Sequence, residues 1–273
     1  MTKIRKAHET MTAKERVLRT FAFEKTDRVP IDYCTNAGIH HRLCVELGIE
    51  GDDYGQLFEA LGVDFRGVSP RYTGPLLYPK IEGCQVDAIY GFYTRWVENE
   101  SGGYNDFCHF PLQNADEETI RALPFPSPDD FDYEMALDYI RSQKEYALYI
   151  GSPGTGDIIN SIGRVMGMED TLVNLMTEDE ATLDLARRKL EMEIGILERL
   201  LDKAGDALDF MWLGEDLGTQ IAPMISVDMY RRVLRPMHQQ FIDLAKAYHL
   251  PVMVHTCGSS SWVYEDFIEM GVN

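Results

Sequence analysis

The chain has no apolar stretch approaching the roughly 20 residues that a membrane span requires. Its opening, "MTKIRKAHETMTAKERVLRTF", lacks the apolar h-region of a signal peptide. These two absences predict a cytoplasmic protein with no membrane partner. Positive charge is scarce too: 26 basic residues stand against 45 acidic ones, a formal net charge of −19. Such a surface repels phosphate backbones and anionic lipid, which argues against nucleic acid and membrane surface as partners. Cysteine is also sparse. Cys34, Cys44, Cys84, Cys108 and Cys257 are odd in number and widely scattered. In a reducing compartment they are expected as free thiols or metal ligands rather than a disulfide framework.

What the chain does have is a core. Its 273 residues, 45% of them hydrophobic, are enough for one large domain spanning 1–273. Apolar positions Val17, Leu18 and Phe21 recur at helical spacing after Thr12, a suitable N-cap. "RVPIDY" (28–33) reads as a short strand, and "QLFEALGVDFRGVSP" as helix into strand. Residues 71–113 break the alternation; rich in aromatics, valine and glycine, they predict an inserted β-hairpin or two. "LPFPSPDDFD" (123–132) is a surface connection.

Alternation then resumes. "EYALYIGSPG" (145–154) is a strand ending in a glycine loop, and a long helix follows with Leu183, Ala186, Leu190, Ile194, Leu197 and Leu201 along one stripe. "LDFMWLGED" (208–216) is a strand ending in two acids. The next helix has Ser226 as N-cap and a break or kink at Pro236. "PVMVHTCG" is a strand, and "SSSWVYEDFIEMG" a helix with Gly271 suited to its C-terminal cap. The fold class predicted is α/β of the (β/α)8 TIM-barrel type, incomplete at about five βα units. "EMGVN" has the look of a chain entering a sixth strand, so a C-terminal portion is expected beyond residue 273.

In a β/α barrel the chemistry lies at the C-terminal ends of the strands. His255 and Cys257 sit at such an end, and a strand period of two points both side chains the same way. Imidazole and thiolate two residues apart make half a zinc site; a core histidine beside a buried thiol is the plainer reading. Glu215 and Asp216 end the preceding strand, and adjacent acids point to opposite faces, so one of them can orient a ligand, donate a proton or complete a metal shell. A solvated pair is the alternative. Asp157 follows the glycine loop "GSPGTGD", which matches no nucleotide fingerprint and reads as loop. His40–His41 read as a helix feature. Cys108–His109 is a weak second metal pair, and Tyr90, Phe92, Tyr93 and Trp96 are either a lid over a flat cofactor or the core of a small hairpin.

The stretch "LGEDLGTQIAPMISVDMYRRVLRPMHQQFIDLAKAYHLPVMVHTCGSSSWVYEDFIEMGVN" resembles the uroporphyrinogen decarboxylase superfamily. "MTAKERVLRTFAFEKTDRVPIDY" and "PLQNADEETIRALPFPSPDDFD" resemble its opening segment and its connector. The resemblance covers essentially the whole chain, weakest over 71–113, and implies a single β/α barrel.

That superfamily holds two chemistries. Its decarboxylases, which serve porphyrin biosynthesis, clamp substrate carboxylates with paired arginines just after the first strand. This chain has "IDYCTNAGIHHR" there, with Arg42 the nearest arginine, so the bidentate contacts are missing. The other branch comprises methylcobamide:thiol methyltransferases, in which an H-x-C pair matching His255 and Cys257 supplies two zinc ligands and a later cysteine a third. The resemblance therefore implies zinc, with its third protein ligand beyond residue 273, a corrinoid carried as co-substrate on a partner protein, and a small thiol acceptor. Glu215 or Asp216 would support the zinc or the acceptor. A decarboxylase acting on uroporphyrinogen, and a non-catalytic corrinoid- or tetrapyrrole-binding barrel, remain the rival readings.

Overall fold

Thr12 behaves as its place before an amphipathic run predicts. Its side chain accepts the Glu15 N–H at 3.1 Å and starts α1 (Ala13–Phe21) in the computed structural model, which describes residues 7–100 and 102–273. Asn36 and Asp53 cap α2 (Ala37–Leu47) and α3 (Tyr54–Leu61) in the same way, and glycines in left-handed conformation end both. The chain then enters β1 (Phe65–Val68). The aromatic insert follows as β2 (Arg71–Tyr72), β3 (Gln85–Val86), β4 (Tyr93–Val97) and β5 (Tyr104–His109). Strands β3, β4 and β5 form an antiparallel sheet of their own, as the hairpin reading expects. After α4 (Glu117–Ala122), β6 (Phe131–Asp132) returns to pair with β2.

The second half alternates regularly. It runs α5 (Tyr133–Ser142), β7 (Ala147–Gly151), α6 (Ile159–Met166), α7 (Met168–Thr177), α8 (Glu180–Ala204) and β8 (Phe210–Gly214). Then come α9 (Val227–Met229), α10 (Arg235–Ala247), β9 (Val252–His255) and α11 (Tyr264–Met270). Between α9 and α10, residues Tyr230–Leu234 form a π-helical turn. Pro236 is the reason: it lacks an N–H and its ring crowds the carbonyl four residues back, so the preceding turn widens instead of breaking.

Strands β1, β7, β8 and β9 form a parallel four-stranded sheet in that order. Alternation divides their side chains between two apolar faces, as expected where both sides are covered. Leu148, Ile150, Met211, Leu213 and Val252 join the large core shared with α8 and α10. Ala147 and Phe210, with Phe65, Tyr149, Trp212 and Met253, face the other way and meet Val17 of α1. Phe210 is fully buried, with ring centroids of Phe21, Tyr149 and Phe65 at 5.2, 5.3 and 5.7 Å. Burying a side chain of this size contributes about 1.5–3 kcal/mol.

Ion pairs lock α1 in place. The fully buried Arg16 reaches Asp27 at 2.7 Å and Asp64 at 2.5 Å, and Arg28 reaches Asp64 at 2.5 Å. These bonds lie at the N-terminal end of β1, where a parallel sheet keeps its stabilising contacts rather than its chemistry.

Two expectations change. Residues 28–33 form no ladder strand, so four βα strands stand where about five were predicted. Pro30 offers no donor, and the Asp64 carboxylate takes the Ile31 N–H at 2.7 Å while the Asp64 N–H bonds the Ile31 carbonyl, which holds the segment beside β1 without pairing. The cysteines differ as well. Cys84 and Cys108 form a disulfide, because β4 folds between them and brings their Cα atoms to 6.7 Å across 24 residues of chain. Cys34, Cys44 and Cys257 are free. No helix among the described residues is long and apolar enough to cross a membrane.

Candidate metal centre

Strands β8 and β9 end side by side, Gly214 paired with His255, and the Glu215 N–H donates to the His255 carbonyl at 3.0 Å. His255 follows Val254 of the helix-side core and so falls on the opposite face, with Met253 and Trp212. Cys257 lies two residues on, its sulfur 3.3 Å from His255 Nε2. The same nitrogen is 3.4 Å from Asp216 Oδ1, which also accepts the Cys257 N–H at 3.0 Å. The oxygen, nitrogen and sulfur of Asp216, His255 and Cys257 all lie within 4.8 Å of one another. Cys257 is exposed and the other two half-buried, so one side of the trio is open to solvent.

The loops that carry these groups brace each other. The Leu217 N–H donates to Thr256 Oγ1 at 3.2 Å, and the Ser259 N–H to the Thr219 carbonyl at 2.8 Å. Gly258 has φ +70°, and a Cβ there would run into the Gly218 and Thr219 carbonyl oxygens. Backbone thus touches backbone where the two loops cross, one residue after Cys257.

Two of the spacings within the trio suit a zinc-sized cation. Bonds of about 2.0–2.3 Å to N, O and S in a tetrahedron put neighbouring ligand atoms roughly 3.3–3.8 Å apart, and the contacts of 3.3 and 3.4 Å fall in that window. A hydrogen bond to the Asp216 carboxylate, with burial and the carboxylate charge, pushes the Cys257 thiol above its ordinary range and keeps it neutral. A divalent ion reverses that shift and deprotonates the thiol.

Glu215 goes elsewhere. It is buried, accepts the Ile158 and Ile159 N–H groups at 2.7 and 3.1 Å, and bonds His238 Nε2 at 3.1 Å. Of the two adjacent acids, only Asp216 therefore joins His255 and Cys257. Burial pushes Glu215 up to about 7. Burial, with the Glu215 charge beside it, pushes Asp157 up to about 8, and the two carboxyl groups bond each other. Burial holds His238 down at about 4, so it stays neutral and donates to Glu215. Asp157, read as loop from its glycine-rich surroundings, is thus a buried member of this cluster. His238 was overlooked too, though a histidine on the apolar face of α10 with Phe241 and Ile242 is a signal of a buried polar contact.

No family model matches this chain, and no curated protein matches it either. The chemistry of the site must therefore carry its interpretation.

The remaining candidates disperse. His40 is buried, stacked on Tyr54 at 3.8 Å, and bonds the Asp52 carbonyl; His41 is exposed beside the Asp52 carboxylate. Cys108 is consumed by its disulfide, which leaves His109 edge-on against Tyr93. Tyr93 is buried with its hydroxyl on the Pro79 carbonyl, Tyr90 donates to Glu193 of α8, and Trp96 is exposed. A cavity of about 420 Å³ lies beyond the C-terminal ends of β1 and β7, lined by Ser69, Tyr90, Tyr149, Ser152, Thr155 and Glu193 among others.

Proposed function

We propose that the chain belongs to the uroporphyrinogen decarboxylase superfamily, folds as a single barrel-type domain, and acts as a zinc-dependent methyltransferase between a corrinoid protein and a small thiol. The observation that carries this reading is the convergence of Asp216, His255 and Cys257 at the C-terminal ends of two neighbouring parallel strands. His255 and Cys257 would hold the zinc and Asp216 would be the third protein ligand available in this chain. Bound there, zinc supplies the positive charge that lowers the pKa of an acceptor thiol. In the reaction the acceptor sulfur forms a bond to the methyl carbon, the cobalt–carbon bond breaks with its electron pair left on cobalt, and the thiol proton leaves to solvent.

The residues of the site suit that role. The open side of the trio admits an acceptor, while the bonds from Thr256 and Ser259 to the neighbouring loop hold the ligands in register. Decarboxylation of a polycarboxylated tetrapyrrole needs cationic groups for the substrate. The groups bonded to the trio are an amide side chain and backbone N–H groups, and Arg42 is exposed on α2.

Elemental analysis after dialysis tests the metal. Near-stoichiometric zinc, lost in His255→Ala and in Cys257→Ala, is the expected result. Wild-type chain without zinc would remove the proposal. Methyl transfer from methylcobalamin to a small thiol, followed by the loss of methyl–cobalt absorbance, tests the reaction; zinc retained without transfer would leave a binding site and no methyltransferase.

A further inference from the structure

Asp216 can serve as a directed ligand only if its carboxylate is kept from rotating. The group that does so comes from another part of the sheet. Asn160, the second residue of α6, donates from Nδ2 to Asp216 Oδ2 at 3.1 Å across 56 residues of chain. With Oδ2 occupied, Oδ1 is the oxygen turned toward His255 Nε2 and the Cys257 N–H. Asn160 is itself anchored, because its backbone N–H donates to Asp157 Oδ1 at 3.0 Å.

That anchor is firm for a physical reason. The segment leading into α6 is tied to buried side chains at successive points. Gly156 N–H donates to Glu193 Oε2 at 3.1 Å, the Asp157 carbonyl accepts Lys189 Nζ at 2.7 Å, and the Ile158 and Ile159 N–H groups go to Glu215. Asp157, Lys189, Glu193 and Glu215 are each at most 4% exposed. A hydrogen bond delivered from so constrained a base holds its acceptor in one orientation.

We infer that Asn160 is a positioning residue for the metal centre: it clamps Oδ2 of Asp216 so that Oδ1 is presented, one oxygen at a time, to the ion held by His255 and Cys257. The inference rests on the metal reading above. A ligating carboxylate whose outer oxygen loses its bond gains rotational freedom and a second binding mode, and loss of such an outer contact weakens metal binding by about 10–100-fold.

Cobalt(II) titration gives the test, since a cysteine thiolate bound to cobalt has its own charge-transfer absorbance. The wild-type chain should bind cobalt with that band, and Cys257→Ala should lose it. Asn160→Ala should bind about 10–100-fold more weakly, keep the band, and melt at the wild-type temperature when metal-free. In an Asp216→Ala background, titrated to millimolar cobalt, Asn160→Ala should change the affinity less than about twofold, because the residue acts through Asp216. Unchanged affinity in the single variant overturns the inference, as does an equal loss in both backgrounds, which would make Asn160 a general support of the fold. A wild-type chain that binds no cobalt removes the metal reading itself, an outcome distinct from both.

Discussion

Two polar clusters occupy the ends of the parallel strands, and their centres are consecutive residues. Around Glu215 the groups are buried and their hydrogen bonds are completed within the protein: two amide N–H groups, the neutral His238 imidazole and the Asp157 carboxyl. Around Asp216 the groups are half-exposed, and two potential anions, the carboxylate and the Cys257 thiol, face each other across one imidazole. The first cluster is closed and holds loop, strand and helix together. The second is open to solvent on one side. Burial with complete partners suits a structural role, whereas ligand-type groups converging on an open side suit the binding role proposed above.

The sharpest way to break this comparison is Glu215→Ala, which strips the acceptor from two buried N–H groups and from His238. It should lower unfolding stability by about 3–5 kcal/mol in a urea titration and, by loosening the base under Asn160, weaken metal binding far less than loss of a ligand does. A loss below about 1 kcal/mol would mean that the buried cluster does not hold the fold. The converse change, His255→Ala or Cys257→Ala, should reduce zinc affinity by at least about 100-fold yet shift metal-free stability by no more than about 0.5 kcal/mol, since these side chains are exposed or half-buried. If either variant unfolds the chain, the two clusters do not differ in kind.

Gly258→Ala probes the brace between the loops. With φ +70° and carbonyl oxygens where a Cβ would go, it should lower stability by about 1–3 kcal/mol and weaken metal binding by displacing Cys257. Equal zinc affinity in wild type and variant would show that the loop crossing does not set the ligand geometry.

The smallest effect concerns pH. Asp157 and Glu215 have carboxyl pKa values raised in the fold, to about 8 and about 7, so the folded state holds their protons more tightly than the unfolded chain. Their contribution is fully present below the ordinary carboxylate range and is lost as pH rises through those two values. His238, held down at about 4, works in the other direction: its contribution is present above the ordinary imidazole range and lost as pH falls through its folded value. Urea midpoints should therefore decline from about pH 5 to about pH 8, and Asp157→Asn, which keeps the acceptor for Asn160, should flatten that decline. An identical slope in the variant would place the alkaline loss elsewhere.

Local chemistry was legible in the sequence wherever it depends on neighbours along the chain. Thr12 and Ser226 cap helices because a short polar side chain meets its own backbone three residues on, and the strand ending at His255 brings Cys257 two residues later. Segments 145–154, 208–216 and 250–257 become neighbouring parallel strands because both faces of each are apolar. Pairings across the chain were not legible. Which of Glu215 and Asp216 joins the histidine depends on the loop before α6, whose Ile158 and Ile159 amides claim one acid while Asn160 claims the other. The Cys84–Cys108 disulfide depends on the path of β4, and residues 28–33 stay unladdered because Asp64 takes the Ile31 backbone groups. Hydrophobic period and capping act over a few residues and are written locally; completing a polar group's partners is a three-dimensional problem, and only the tertiary structure decided it.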